Sequence, residues 1–430
     1  MNASGIRLLP VLSLLLSLGS IPLGAQEAAR APRPSGYPVQ PGIWRLHGTA
    51  PGLPQDDLAP LRQIVGKATV VGLGESFHTS GGYYEAKHRL FRYLVETMGF
   101  RVLALETSWV DADRVAHYVE TCDGTAEEAL IQGVFPVWAS AETRELAEWM
   151  CEWNRSHRNP KEKVHFYGFD IQFQQKEDAG GLIGFLERIG LAEDDPRIAG
   201  INRCEGVVET FFPAPLPEDR YQDCKAALAA VADLFARQAA SIVRRTSKKD
   251  FGWAKVRQVG LDTFMDQLFF RETAPERAFD ARDKGMAYLF QAIRNLRYPG
   301  AKTVLWAHNH HIAKNSPEYF YSLIMGTILD RTLKKGSYVS LALIGREVSI
   351  DWPAFNYCGP RPAPGEGAVE RLLHDLGEDF LLMDLDSSLL AAGKVYEFSD
   401  YPMVPRRQFD ALIFLDASPK MDPLGRPACR

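Results

Sequence analysis

The sequence predicts an α/β fold: a mostly parallel sheet flanked by helices, with a helical-bundle insertion. Three observations predict it. Short Val- and Leu-rich runs alternate with longer runs whose apolar residues recur at spacings of three and four. Between about 176 and 296 the strand signals stop, and long helical patterns rich in Ala, Leu, Arg and Asp take over. Finally, 430 residues exceed the usual single core, so one large domain with an insertion, or two domains, is expected.

Taken in order, residues 1–25 read as a targeting segment. Arg7 gives a positive start, residues 8–18 are largely apolar, and Pro22-Leu23-Gly24-Ala25 resembles a cleavage region. The run is short for a bilayer span of about 20 residues, and no later apolar stretch is long enough. An exported chain, periplasmic or secreted, without stable membrane insertion is the expectation. Residues 26–42, rich in Ala, Pro and Gly, read as a flexible lead-in. The first part of the α/β core spans 43–175, with strands at 67–74, 101–106 and 164–170. Helical patterns cover 83–98, continue after the second strand to 118, and return at 142–154. The helical insertion occupies 176–296, and 297–430 resumes the core with strands at 302–307, 338–344, 380–385 and 411–415.

Composition removes some classes of function. A hydrophobic content of 46% and an aromatic content of 11% are those of a globular protein. The formal charge of -5, with no dense Lys/Arg block, gives no support for nucleic-acid binding. Six cysteines suit an oxidising compartment. Cys204 and Cys224 lie close in one stretch, and Cys122 with Cys151 or Cys358 with Cys429 could also pair. The sequence does not choose among the possible pairings. None has C-x-x-C spacing, so structural disulfides or buried thiols are expected.

The informative residues stand at strand ends, where ligands bind in open α/β sheets. The first strand finishes in Gly74-Glu75-Ser76-Phe77-His78, the second at Glu106, the third at Asp170, and the fourth runs into His308-Asn309-His310-His311. Each acid alone reads as a helix cap and each histidine as a hydrogen-bonding group; together they suggest an active site. Lys87 falls within the apolar stripe Tyr84, Phe91, Leu94, Val95 and Met98. A buried ammonium needs a partner, and Glu75, Glu106 or a substrate anion would supply it.

The motifs narrow the chemistry. His78 stands where a G-x-S-x-G elbow needs glycine, and there is no phosphate loop and no H-E-x-x-H. An imidazole of pKa about 6.5 can take a proton from water, oriented by a carboxylate as in a Ser-His-Asp triad. A second His, such as His308 or His310, or a Lys or Arg would stabilise the oxyanion. The alternatives are a metal-dependent hydrolase that uses His308, His310 and His311 as ligands, His308 and His310 sharing one face of an extended segment, and a non-enzymatic extracytoplasmic binding protein.

The ordered set Gly-Leu-Gly-Glu75-Ser-Phe-His78, Lys87-His88-Arg89, Leu-Ala-Leu-Glu106, Gly168-Phe169-Asp170, Arg282-Asp283-Lys-Gly-Met286-Ala and Trp-Ala-His308-Asn resembles the erythromycin esterase family across roughly 65–315. The resemblance implies an α/β core with a helical bundle, and hydrolysis of an ester or macrolide lactone without metal or other cofactor. It makes His78 the general base, Glu75 and Glu106 its orienting carboxylates, and His308 a further catalytic residue. Arg282, Lys87, Asp170 and His310 are then the substrate or oxyanion contacts. Lys87 stands where some family members have Arg.

Overall fold

The computed structural model describes residues 38–172, 178–204, 216–316, 323–353, 356–387, 389–398 and 401–429. The expected targeting segment and the lead-in as far as residue 37 lie outside the described residues. Ser35–Arg430 forms one compact unit, so the helical block is not a separate body.

The strands are β1 (Pro38–Gln40), β2 (Ile43–Arg45), β3 (Val70–Leu73), β4 (Phe100–Ser108), β5 (His165–Asp170) and β6 (Lys302–Trp306), followed by β7 (Tyr338–Trp352), β8 (Tyr357–Pro360), β9 (Phe380–Asp384), β10 (Tyr396–Phe398), β11 (Tyr401–Met403) and β12 (Ala411–Ser418). The α-helices before β6 are α1 (Ala59–Val65), α2 (Gly81–Met98), α3 (Asp113–Thr121), α4 (Ala126–Gly133), α5 (Ala141–Ser156), α6 (Asp178–Arg188), α7 (Pro196–Asn202), α8 (Glu218–Arg245), α9 (Lys248–Phe270) and α10 (Pro275–Arg297). After β6 come α11 (Asn309–Ile312), α12 (Met325–Thr332), α13 (Val369–His374) and α14 (Pro405–Gln408).

One sheet runs β1-β2-β9-β12-β7-β3-β6-β4-β5, with β8 paired to β7 and β10-β11 forming a separate ribbon. From β12 to β5 every pair is parallel, whereas β1, β2 and β9 form an antiparallel edge. All seven expected strands are present. Those not anticipated are short β1, β2, β8, β10 and β11, too brief to show a period of two. β1 lies inside the expected lead-in: Gly42, at φ 77°, turns the chain so that β1 and β2 pair and β2 joins β9. β7 runs eight residues beyond its expected end, carrying Trp352 beyond the parallel pairing with β12 to pair with β8.

Both faces of the sheet are buried, as a parallel sheet requires. Alternation divides the side chains: Val70, Val102 and Ala104 join the core beneath α6 to α10, whereas Val71, Leu103 and Leu105 pack with α2 to α5. Among the described residues no strand interrupts the path from α6 to α10. Contrary to the sequence expectation, α8 is long and apolar enough to cross a membrane by length and composition. Its Cys224, Leu228, Val231, Phe235 and Ile242 are nevertheless in the protein core. Disulfides join Cys122 to Cys151, Cys204 to Cys224 and Cys358 to Cys429.

Candidate active site

Four adjacent strands, β3, β6, β4 and β5, deliver their carboxyl ends to one place. Beyond β3 the chain turns through Glu75 to His78, and Gly74 makes that turn possible. A Cβ there would lie 2.0 Å from Asn309 Oδ1, and the Asn309 amide is engaged on both sides by the Leu343 backbone. Thr79 then adopts φ 66°, a left-handed conformation that costs a β-branched residue on the order of 1–3 kcal/mol. Three hydrogen bonds hold it there: its amide donates to Tyr84 Oη at 2.8 Å, and its hydroxyl and carbonyl accept from Asp351 N and Met421 N. The strained turn separates His78 from α2, whose buried face carries Lys87.

Glu75 is fully buried between these two residues. One carboxylate oxygen accepts from His78 Nδ1 at 2.7 Å, and the other accepts from Lys87 Nζ at 2.7 Å. Lys87 lies 4.5 Å from the centre of the Trp306 ring. Burial pushes its ammonium down to about 8, with Glu75 opposing that shift. Because Nδ1 carries the proton given to Glu75, Nε2 of His78 is the ring nitrogen with a lone pair. The His78 ring retains 16% exposure and is flanked by Trp138, His308 and Trp352 at centroid distances of 4.7, 5.3 and 5.8 Å.

A second charged cluster forms from β4, β5, α10 and α11. Arg282 reaches Asp170 through Nε and Nη2 and Glu106 through Nη2, at 2.7 Å for the latter. The other Glu106 oxygen accepts from the His308 amide at 2.9 Å. His311 stands between Asp283, 2.9 Å from Nδ1, and Glu106, 3.3 Å from Nε2. Burial opposes its charge, but Asp283 and Glu106 outweigh that and push His311 up to about 10. The imidazolium therefore donates from both nitrogens, and its 3.2 Å approach to Arg282 Nη1 brings two cations together under three carboxylates. Burial likewise opposes the Glu106 charge, yet His311, Arg282 and His78 hold that carboxyl well below its usual range. Nη1 is the guanidinium nitrogen with no carboxylate partner among the described residues.

His78, Glu106, Arg282, His308 and His311 line a cavity of about 330 Å³. Its walls are largely apolar: Phe135, Val137 and Trp138 before α5, Trp352 from β7, and Pro275, Ala278 and Phe279 from α10. Gln172, Gln267 and Arg271 add polar groups. The wall before α5 is tied to β4, since Trp138 Nε1 donates to the Glu106 carbonyl and the Phe135 amide to Thr107 Oγ1.

The expected residues do converge, but four take different positions from those anticipated. Lys87 is fully buried behind Glu75 and is not a cavity contact, because the stripe that carries it faces the core. Asp170 is also fully buried and holds Arg282, leaving no surface for substrate. His310 is outside the cavity lining. The chain coils into α11 instead of remaining extended, so His308 and His310 do not share a face. His308 lines the cavity without being a proton acceptor: Nδ1 accepts from the His310 amide, which leaves Nε2–H to donate to the Ser76 carbonyl at 2.8 Å. Burial and the neighbouring His78, His310 and His311 push it well below the usual imidazole range. With both ring nitrogens engaged, it is not placed as a metal ligand.

Asp283, Trp138, Trp352, Gln267, Arg271 and Phe279 were not anticipated as site residues, and His311 only as a metal ligand. Asp283 carried a usable signal, an acid between the buried Ala281 and Gly285 of α10, analogous to Lys87 in α2. The aromatic walls carried none, since Trp and Phe in such segments read as core.

The sequence matches the family described as Erythromycin esterase over residues 95–418. It is 22% identical to the Bacillus subtilis (strain 168) protein YbfO, named as a hydrolase, over 84% of this chain and 86% of that protein. It is 20% identical to Erythromycin esterase type I of Escherichia coli, over 81% and 86% respectively. A solved structure of an erythromycin esterase mutant, EreC in its open conformation, shares the fold with a TM-score of 0.70 at 18% identity, covering 87% of this chain and 97% of that one.

Proposed function

The chain belongs to the erythromycin esterase family, whose members are hydrolases of esterase type acting on small molecules, and on that premise we propose that it cleaves a carboxylic ester or lactone with water activated by His78. The observation that carries this reading is the line Lys87–Glu75–His78, with its two 2.7 Å hydrogen bonds. Glu75 keeps the proton on Nδ1, so Nε2 takes the proton of a water that attacks the ester carbonyl. Glu75 then stabilises the imidazolium, as the acid of a triad does. Arg282 Nη1 is the donor for the carbonyl oxygen as it gains charge, and the His311 imidazolium, whose own N–H groups are held by Asp283 and Glu106, adds positive charge beside it at the cavity wall. Collapse of the tetrahedral intermediate expels the alkoxide, which takes the proton back from His78.

Macrolide lactones are the first substrates to test, since they give the family its name. The purified protein is incubated with a panel of macrolides, smaller lactones and aryl esters, and products gaining one water are sought by mass spectrometry. Turnover that survives a chelator and falls by about 10³ or more in His78→Ala supports the reading. Full activity in His78→Ala overturns it. Hydrolysis of small esters with every macrolide untouched removes macrolides from the proposed substrates. Chelator-sensitive turnover would favour a metal-dependent hydrolase, although the engaged His308 nitrogens argue against one. Ligand binding without turnover would favour the extracytoplasmic binding protein.

We also propose that the protein is exported, on the apolar run at 8–18. Three disulfides support an oxidising compartment. N-terminal sequencing of the mature protein tests this; an intact Met1 terminus in a cytoplasmic fraction would overturn it.

A further inference from the structure

A second cavity, of about 470 Å³, shares no lining residue with the catalytic one. The α9–α10 hairpin serves both. The later part of α9 and the start of α10 wall the catalytic cavity through Gln267 and Phe279, whereas Trp253 of α9 and Arg297 at the end of α10 line the second. At 1.5 Å per residue, Trp253 and Gln267 are about 21 Å apart along α9.

The second cavity gathers Arg188, Lys249, Arg257 and Arg297, against Asp113 and Asp250. Neither acid is idle. Asp113 takes a bidentate bond from Arg297, at 2.6 and 2.8 Å. Asp250 accepts from the Ser247 hydroxyl, and its amide donates to that same hydroxyl, the cap of α9. Arg188 and Lys249 have no ion-pair partner among the described residues, and both are exposed. The groove is therefore cationic in a chain whose formal charge is -5.

Its walls are also held in place. Arg257 lies so close to α6 that a Cβ on Gly181 would be 2.5 Å from its Nε. Trp109 and Trp253 are nearly parallel, with centroids 6.1 Å apart, and the Arg297 guanidinium lies 4.8 Å from the Trp253 ring centre. Surplus positive charge beside low-dielectric aromatic walls concentrates the field on an anion. The volume exceeds that of the catalytic cavity and falls in the range of sites for whole small molecules.

We propose that this groove binds a small ring compound carrying an oxyanion, such as a phosphorylated or carboxylated sugar, apart from the catalytic cavity. The charged group meets Arg188, Lys249 and Arg257, and the ring lies along the tryptophan wall.

The test is isothermal titration of the full-length protein at low salt with glucose 6-phosphate, glucuronate and glucose. At least one charged sugar should bind, glucose should not, and added salt should weaken the interaction. Binding of glucose 6-phosphate alone identifies phosphate as the preferred group, and binding of glucuronate alone identifies carboxylate. The double variant Arg188→Gln/Lys249→Gln should lose about tenfold or more in affinity while keeping its ester hydrolysis. His78→Ala should bind the charged sugar unchanged. Equal binding of glucose, no binding of either charged sugar at millimolar concentration, or undiminished affinity in the double variant would each overturn the proposal.

Discussion

The two charged clusters at the sheet edge each combine carboxylate, imidazole and a fixed cation, and they behave in opposite ways. The Glu106 cluster sets three carboxylates, Glu106, Asp170 and Asp283, against Arg282 and the His311 imidazolium in a closed network. The Glu75 cluster sets one carboxylate between Lys87 and His78, whose ring borders the cavity. Across both, four buried carboxylates meet three standing cations, and a proton on His78 would complete the balance. Buried charge is tolerated only when matched, and in each cluster a carboxylate meets a cation at hydrogen-bonding distance. One cluster is a frame; the other contains the part that changes.

The strongest way to break this contrast is at Glu75. Glu75→Gln should lower ester hydrolysis by about 10³ to 10⁴, because the amide no longer enforces the tautomer or steadies the imidazolium. It should also reduce unfolding free energy by about 3–5 kcal/mol, because Lys87 is left buried without its partner. Adding Lys87→Met should restore much of the stability, read by urea unfolding, and none of the activity. Recovery of activity in the double variant would show that Glu75 serves the fold alone.

Arg282 tests the frame. Arg282→Ala leaves Glu106 and Asp170 facing each other without their shared cation, and a loss of about 3–5 kcal/mol is expected in the same unfolding measurement. Arg282→Lys should not restore the wild-type value, because a point charge cannot bridge both acids as the guanidinium fork does. Full recovery with Lys would reduce the network to simple charge balance.

The clusters should also pull stability in opposite directions with pH. His311 is raised from 6.5 to about 10, so its contribution is complete below about 6.5 and is lost as pH rises towards about 10. Lys87 is lowered from 10.5 to about 8. Its charged form therefore costs stability, and that cost fades as pH rises from about 8 to about 10.5. From these two groups, stability should fall between pH 6.5 and 8 and then flatten as the slopes oppose each other. His311→Asn should remove the first fall, as followed by denaturation midpoints across this range. An unchanged pH profile in that variant would refute the assigned imidazolium.

The smallest effect belongs to the cavity wall. Phe279 is 38% exposed, so Phe279→Ala should change KM by less than about tenfold and leave kcat nearly intact. A large fall in kcat would place Phe279 with the proton machinery.

Much of this was legible in the sequence, for identifiable reasons. The parallel strands announce themselves because strands buried on both faces read as apolar runs, as in Val70–Leu73. Lys87 was legible as a buried charge in need of a partner, and Glu75 is that partner. Its distance from the cavity was not, since a helical stripe shows which side is buried without showing what covers it. The roles of His308 and His310 depended on one turn of helix at Asn309–Ile312, too short to leave a period. Trp352 was missed because β7 continues past Ile344 with partly exposed residues, where the apolar run gives out.

The separate origin of machinery and walls also bears on how such a protein could diversify. Glu75, His78, Glu106 and His308 come from the ends of sheet strands or the turns that follow them, whereas Gln267, Arg271, Pro275, Ala278 and Phe279 come from one helical hairpin and its connection. A lineage could redraw the hairpin, by substitution or by exchange of the whole segment, and alter what enters the cavity. The bond-breaking apparatus would be inherited with the sheet, as is common where scaffold and recognition surfaces are distinct. Arg282 and Asp283 are the exceptions, because they lie on α10 itself. They mark how far along that helix such a graft could extend before hydrolysis was lost.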